Sequence, residues 1–342
     1  MAGITHIKEL QTPALMGLSQ ALSEERDATP TLADRFLPNR NVFSTQFAYD
    51  IIKKNAHIAA YIGYGAEPPV MDRDAVASKA GELAKLGIKY IATEEELLAL
   101  NQARSNAEKT AMVDALLTRA SDLVDAIQKQ ISLSKLQALL TGEFSYNKNG
   151  AKFGIDFGVP AENKKEQTGT AAWNTATGTP ITDLIAWNDE YVAQNGNADV
   201  IIVSRDVVRV LQTNPEVLAE AGVTTGRATV EQVQDVLNSY GLPPIEVVAQ
   251  RSLTYHDIYS GETQTVEYMP KYRVVFAQEG IGAFLIGPTV ENNYQPGIAL
   301  SSYDNQEPIQ SVIRAAAAGF PVIENPFAIL FADVANDGGV EG

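Results

Sequence analysis

The sequence predicts an α+β fold in which a long helix and a hairpin precede a region of alternating helices and strands. No proline or glycine lies between Thr93 and Gly142, and good helix formers fill the interval. A strand-turn-strand pattern follows over Phe144–Phe157, with Asn149-Gly150 at the turn. Helical and strand patterns then alternate from Pro180 onward. The long helix and hairpin carry no reactive group, so these features indicate a protein that builds a structure.

Residues 1–40, called the arm below, make a poor independent core. Three leucines at helical spacing form one short apolar face: Leu15, Leu18 and Leu22. A two-turn helix is predicted over Thr31–Leu37, and it would leave Phe36 and Leu37 exposed to a partner. We therefore expect these two side chains to be assembly contacts.

Residues 41–92, called the finger below, have the pattern of two strands joined by a charged tip. Strand formers occur over Val42–Ile52 and Ala56–Gly63, and a short strand returns over Ile88–Ile91. The tip, Met71–Gly87, carries the charged residues Asp72, Arg73, Asp74, Lys79, Glu82 and Lys85. An exposed loop and a docking element between subunits explain this tip equally well. A lone hairpin is marginally stable in water, so we expect the finger and arm to gain stability from neighbouring copies.

The sequence marks the N-terminus, the buried face and the C-terminus of the long helix. Thr93 and Glu96 have the spacing of a capping box, and Gly142 is a natural end. One apolar stripe recurs at spacings of three and four: Met112, Leu116, Ala120, Leu123, Ile127 and Ile131. Polar residues crowd at Asn101–Asn106 and predict a bend there, with the most continuous part over Lys109–Thr141.

The alternating region begins with a predicted helix over Ile181–Asn195 and a buried strand over Asp199–Val203. Ser204 caps a helix that is predicted to run to about Ala221, and Thr229 with Gln232 opens another. The later strand candidates are Ile245–Ala249, a hairpin over Leu253–Tyr268, Tyr272–Ala277, Val312–Ala317 and Ala328–Val334.

Composition and motifs exclude several function classes. The net charge of −16 repels phosphate backbones, and the lack of cysteine removes disulfides and thiolate metal sites. The chain shows neither a signal pattern nor an apolar run near the ~18 residues of a membrane span, so we expect a protein made in the cytoplasm without membrane contact.

The three histidines, His6, His57 and His256, have no metal-type spacing. Gly280–Gly287 lacks the spacing of a dinucleotide loop. We therefore predict no catalytic residue, cofactor or metal.

Several stretches resemble the major capsid proteins of tailed phages, specifically the lambda-type E group. Leu139–Tyr146 is similar to the end of that group's spine helix and the strand after it. Phe157–Lys164 and Gly169–Asp183, with Trp173, resemble the next loop and the start of its α/β domain. Pro321–Val334 resembles its closing strand. The likeness covers most of the chain in order, although each motif is short.

The resemblance implies the Hong Kong 97-like capsid fold and a division of the chain into five parts. These are an N-terminal arm (1–40), an extended E-loop (41–92), a peripheral domain with the spine helix and hairpin (93–179), an axial α/β domain (180–311), and a closing peripheral strand with a tail (312–342). It also implies a non-enzymatic head protein that assembles as pentamers and hexamers into an icosahedral shell around packaged DNA.

The implied partners are copies of the chain itself, a scaffold, a portal and, in some family members, a decoration protein, with DNA contacted only non-specifically. Because only about forty residues precede the finger, a separate scaffold is expected. A covalent cross-link through the finger lysines is not expected. Two alternatives stay open: a shell protein of an encapsulating cellular compartment with the same fold, and a hydrolase or transferase with a pocket beside Ser204 or His256.

Overall fold

The structure is a computed structural model, which describes residues 3–52, 75–103, 105–148, 151–257 and 261–336. The chain divides into two compact units that are described separately. The first unit comprises residues 1–48, 80–135 and 283–322, and the second comprises residues 49–79, 136–282 and 323–342.

The α-helices of the described residues include one that is much longer than the rest. In chain order they are α1 (Thr12–Ala28), α2 (Leu32–Phe36), α3 (Glu94–Asn101), α4 (Asn106–Thr141), α5 (Pro180–Asn195), α6 (Arg205–Thr213), α7 (Pro215–Glu220) and α8 (Val230–Ser239). The predicted bend at residues 101–106 is an interruption between α3 and α4. The capping box of Thr93 and Glu96 is confirmed at the start of α3.

The strands of the first group are β1 (Asn39–Asn41), β2 (Gln46–Ile52), β3 (Ala75–Glu82), β4 (Ala84–Ala92), β5 (Glu143–Lys148), β6 (Ala151–Asp156), β7 (Lys164–Glu166) and β8 (Val200–Ser204). The remaining strands are β9 (Ile245–Val248), β10 (Ser252–His256), β11 (Thr263–Glu267), β12 (Arg273–Ala277), β13 (Gly282–Thr289), β14 (Gln295–Pro296), β15 (Ala299–Gln306), β16 (Ile309–Ile323) and β17 (Ile329–Asp333). The predicted hairpins β5–β6 and β10–β11 are both confirmed.

A six-stranded sheet organises the first unit. Its strands run in the order β1-β13-β16-β15, while β4 also pairs with β16 and β14 with β13. The predicted stripe of α4 packs on this sheet together with α3 and the arm, which confirms the stripe. The fully buried members of this core include Ile4, Leu10, Leu15, Ala120, Val124, Leu300, Ile313 and Ala315.

A five-stranded sheet with the order β7-β17-β12-β8-β9 organises the second unit. β8 pairs with β9 in parallel and with β12 in antiparallel orientation. Residues of α5 to α8 bury their apolar faces with this sheet. The rings of Trp173 and Trp187 stack with centroids 5.7 Å apart within the same core. The strand predicted over Asp199–Val203 is thus the buried strand β8.

Three sequence predictions about element bounds are corrected. The helix predicted from Ser204 to Ala221 is divided into α6 and α7, because Pro215 has no backbone N–H and the side chain of Asn214 caps the new helix by accepting from the Glu216 amide. The finger's returning strand is much longer than Ile88–Ile91, since β3 and β4 occupy most of the predicted charged tip. Strand β16 extends through Pro321. Residues 53–74 of the finger and the turn at 149–150 lie outside the described residues.

Candidate assembly surfaces

The arm packs against its own chain, which corrects the expectation for Phe36 and Leu37. Both side chains are fully buried. A capping box starts α2, in which Thr31 and Asp34 exchange hydrogen bonds, and it directs the following residues inward. Sequence periodicity could not reveal this burial, because a helix of five residues has too few positions to mark a face.

A buried ion pair joins this helix to α4. The Lys135 side chain is 1% exposed, and its Nζ lies 2.6 Å from Asp34 Oδ1 and 2.7 Å from Asn39 Oδ1. Burial lowers the pKa of Lys135, and the bond to Asp34 opposes that shift. Burial alone would raise the pKa of Asp34, but hydrogen bonds from Lys135 and Thr31 outweigh it and lower the pKa below its usual value. The carboxylate is therefore held in its charged form.

Polar contacts also attach the start of the arm to β15 and β16. The amide of Ile4 donates to Ser311 Oγ over 3.1 Å, and Ser302 Oγ donates to the Leu10 carbonyl over 2.6 Å. The amide of Ser302 donates to Thr12 Oγ1 over 3.3 Å. The described part of the arm, residues 3–40, is therefore held by polar contacts within its own chain, while its dependence on a neighbouring copy stays a prediction.

Of the six charged residues assigned to the finger tip, the structure describes Lys79, Glu82 and Lys85. Asp72, Arg73 and Asp74 are outside the described residues. Lys79 donates to the Asp156 carbonyl within the second unit. Glu82 is exposed at the end of β3.

Lys85 lies in β4, opposite Ala318 in the six-stranded sheet, rather than at a tip. Its Nζ is 2.6 Å from Glu291 Oε1. This hydrogen bond lowers the pKa of Glu291, although burial opposes the shift. The part that the six residues of the predicted tip have in assembly stays a prediction.

Large exposed apolar side chains mark further surface in each unit. In the first unit Phe43 is 76% exposed, Val290 67% and Tyr294 70%. Tyr294 has a φ of 61°, an uncommon value for a bulky residue, and follows Asn293 at 51°. In the second unit Val230 and Tyr240 are about half exposed at the two ends of α8. Sequence analysis did not single out these residues as surface candidates, because exposure of an isolated apolar residue has no periodic signal.

Of the two residues beside which an enzyme pocket would lie, Ser204 has a structural role. Ser204 Oγ accepts from the Val207 amide, 3.2 Å away, as the cap of α6 and donates to the Lys271 carbonyl. His256 is exposed on a hairpin strand. The segment after Gly280 continues as β13 and not as a helix, so it cannot present a helix N-terminus to a dinucleotide.

The described residues show no cluster of three or more metal-ligating side chains. In the same part of the chain, no helix has the length and apolar content that a membrane span requires.

Comparison with known proteins decides between the open alternatives. The model of the family described as phage major capsid protein E matches residues 15–334. The chain belongs to this family. The family match covers the arm from α1 onward, both units and the last strand, so the predicted family is confirmed. A search of curated proteins found no significant match.

Solved structures with the same fold include three phage-related proteins. A putative prophage capsid protein from Escherichia coli CFT073 aligns with a TM-score of 0.60 and 17% identity, over 95% of this chain and 99% of its own. A phage-related protein from Bordetella bronchiseptica RB50 aligns with a TM-score of 0.57 and 11% identity, over 95% and 98%. The satellite phage P4 procapsid, a structure that includes the size determination protein, aligns with a TM-score of 0.51 and 13% identity, over 93% and 99%.

The solved structures confirm the predicted fold class, and the family match assigns the chain to the head shell of a phage. Capsid subunits of this family are structural proteins, so the chain is not an enzyme. Self-association into a virion shell follows from the same assignment. The compartment-shell and enzyme alternatives are not favoured.

Proposed function

We propose that the chain assembles as pentamers and hexamers into an icosahedral head that encloses packaged DNA. The family match over residues 15–334 carries this proposal. Residues 180–311 act as the axial domain around the five-fold and six-fold axes, and residues 93–179 with 312–342 act as the peripheral domain. The finger, residues 41–92, acts as an E-loop that reaches a neighbouring subunit. The net charge of −16 supports a wall that encloses DNA without binding it tightly.

The arm has a different role from the one first expected. Because Phe36 and Leu37 are buried in their own subunit, they support assembly by holding the arm in place rather than by touching a neighbour. The further partners are a separate scaffold and a portal, to which some family members add a decoration protein. Assembly takes place in the host cytoplasm, and the finished protein resides in the virion.

Coexpression with the scaffold and electron microscopy of the purified product test the proposal. We expect closed shells with five-fold vertices. Monomers that persist under all assembly conditions would contradict it, and open sheets or tubes would contradict the icosahedral part alone.

A matched pair of variants tests the finger. The first variant neutralises three charged residues assigned to the tip: Asp72→Asn, Arg73→Gln and Asp74→Asn. The control neutralises the same charges on the exposed face of α4: Asp114→Asn, Arg119→Gln and Asp122→Asn. We expect the first variant to lower the yield of shells while the thermal unfolding of the subunit stays unchanged. Equal yields from both variants would remove the finger tip from the assembly contacts.

A further inference from the structure

Three buried polar atoms of the first unit have no hydrogen-bond partner among the described residues, and they occur at one place. They are Glu291 Oε2, Arg314 Nε and Ser301 Oγ. Ser301 and Arg314 are directly opposite each other on β15 and β16, and Arg314 Nη1 is 3.7 Å from Glu291 Oε1. Because buried polar groups are almost always paired, such a concentration of unpaired atoms requires an explanation.

The backbone around Glu291 is firmly fixed. The residue lies in a short 3₁₀ turn, Val290–Asn292, where the amide of Asn292 donates to Thr289 Oγ1 over 3.2 Å. Asn292 Nδ2 also donates to the carbonyl of Gln295 over 3.1 Å. The Glu291 side chain is only 9% exposed. A change of partner at this site therefore requires rotation of the Glu291 carboxylate and of the Arg314 guanidinium, and no rearrangement of the turn.

Two cations approach the same oxygen of that carboxylate. Lys85 Nζ is 2.6 Å from Oε1, and its side chain is 60% exposed. Arg314 Nη1 is 3.7 Å from the same atom. A guanidinium matches a carboxylate best when Nε and a terminal nitrogen each meet one oxygen. In a side-on pair the guanidinium uses Nε and Nη2, as Arg273 does with Asp333. In Arg314 the nitrogen nearest to Glu291 is Nη1, on the other side of the group, while Nε and Glu291 Oε2 have no partner among the described residues. The two side chains thus have the components of a bidentate pair that a turn of the guanidinium would form.

We propose that Glu291 exchanges partners between Lys85 and Arg314. In the present arrangement the carboxylate binds Lys85. In the second arrangement the guanidinium of Arg314 turns so that Nε and Nη2 each donate to one oxygen of Glu291, which pairs Nε with Oε2 and releases the ammonium of Lys85. The hydroxyl of Ser301 takes no part in this exchange. That ammonium is exposed enough to be hydrated after release, so the exchange leaves no buried charge behind.

The position of Lys85 gives the exchange a structural consequence. Lys85 is the second residue of β4, and Leu83 alone separates β3 from β4. Arg314, in contrast, lies within β16, which pairs with β15 and β4 on its two sides. In the first arrangement the Lys85–Glu291 ion pair connects the start of β4 to the 3₁₀ turn after β13. In the second arrangement this connection is lost, while the strand pairing of the sheet is unchanged. The device belongs to a single subunit and does not depend on assembly.

The variant Lys85→Met tests the exchange in the full-length, unassembled subunit. It retains the length of the side chain and removes the cation from an exposed position. We expect the Nε–H of Arg314 to exchange with solvent about tenfold more slowly by NMR, because it gains a hydrogen bond. We also expect the amides at the start of β4 to exchange faster. Unchanged Nε–H and amide exchange would overturn the proposal.

Two further variants separate the exchange from a general loss of charge. Lys89→Met removes a cation from the same exposed face of β4, directly opposite Arg314. Lys85→Arg retains a cation beside Glu291. We expect both to behave like the unmodified protein in the two exchange measurements. Slower Nε–H exchange in Lys89→Met would show that net charge alone controls Arg314, and would also overturn the proposal.

Discussion

The buried ion pair between Asp34 and Lys135 makes an asymmetric prediction. Replacing Asp34 by alanine leaves an ammonium that is 1% exposed, with the Asn39 amide oxygen as its remaining hydrogen-bond acceptor among the described residues. Removing one partner of a buried pair costs about 3–5 kcal/mol, and loss of the α2 capping box adds about 1 kcal/mol. We therefore expect Asp34→Ala to lower the free energy of unfolding of the arm by about 4–6 kcal/mol.

Replacing the lysine has a smaller expected cost. In Lys135→Met the Asp34 carboxylate is 21% exposed and still accepts from the amide and hydroxyl of Thr31, at 2.9 and 2.6 Å. The remaining loss is the hydrogen bond to Asn39 and the charge pair, about 1–3 kcal/mol. The double variant should be more stable than Asp34→Ala alone, because no buried charge remains without a partner.

Hydrogen exchange of residues 31–41 measures this local stability, and urea unfolding followed by circular dichroism measures the whole subunit. Lys129→Met is the control, since Lys129 is exposed on the same helix; we expect a change within about 0.5 kcal/mol. If Lys135→Met proves as costly as Asp34→Ala, or if the double variant shows the sum of both losses, the reasoning is refuted.

The same pair predicts a pH dependence with a definite sign. The pKa of Asp34 is lower in the folded protein than its ordinary value of 3.8. Its stabilising contribution is therefore complete above pH 3.8 and is lost as the pH falls through the folded-state pKa. The difference between the unmodified protein and Lys135→Met should accordingly shrink below pH 3.8. A difference that grows on acidification would contradict the assignment.

Two further substitutions test the second unit. Arg273 forms two 2.6 Å bonds to Asp333, so Arg273→Lys should cost about 1.5–3 kcal/mol in urea unfolding while the exposed Arg205→Lys should be neutral. Gly142 ends α4 with a φ of 71°, so Gly142→Ala should lower the free energy of unfolding by at least about 1 kcal/mol. A Cβ at Gly17, within α1, meets open space, so Gly17→Ala should raise the free energy of unfolding by about 0.4–1 kcal/mol. Destabilisation by Arg205→Lys, or equal signs for the two glycine variants, would contradict these explanations.

Local signals in the sequence predicted the helices and hairpins well. The capping boxes at Thr93 and Thr229 are formed as expected, because each depends on two side chains three residues apart. The same holds for the stripe of α4, whose periodicity is set by one helix. Contacts that depend on a residue distant in sequence are predicted less well than these local features. The boundary between α6 and α7 is a local feature too, since Asn214 and Pro215 mark it in the sequence, although the predicted helix runs through it.

The candidate site was harder to predict than the fold. Lys85 was expected at a finger tip, yet its partner Glu291 is distant in sequence and lies in a turn that no pattern marks. Asp34 likewise pairs with Lys135, which lies on another element about a hundred residues away. Contacts of this kind are determined by how the elements pack, and the spacing of residues along one element does not encode them.

The packing of the arm and the assignment to a family depend on different features of the sequence. A thin segment with few apolar residues can gain its stability from a neighbouring copy or from its own chain, and its local sequence is the same in both cases. Ser302 and Lys135, which lie far from the arm in sequence, hold it through hydrogen bonds. Ser302 Oγ donates to the Leu10 carbonyl, and Lys135 Nζ donates to Asn39 Oδ1. The expected exposure of Phe36 and Leu37 is therefore wrong, and a contact between the arm and a neighbouring copy stays a prediction, whereas the assignment to a phage head shell is confirmed. That assignment depended on the order of the elements along the chain, a property of the whole sequence that the attachment of one segment does not alter.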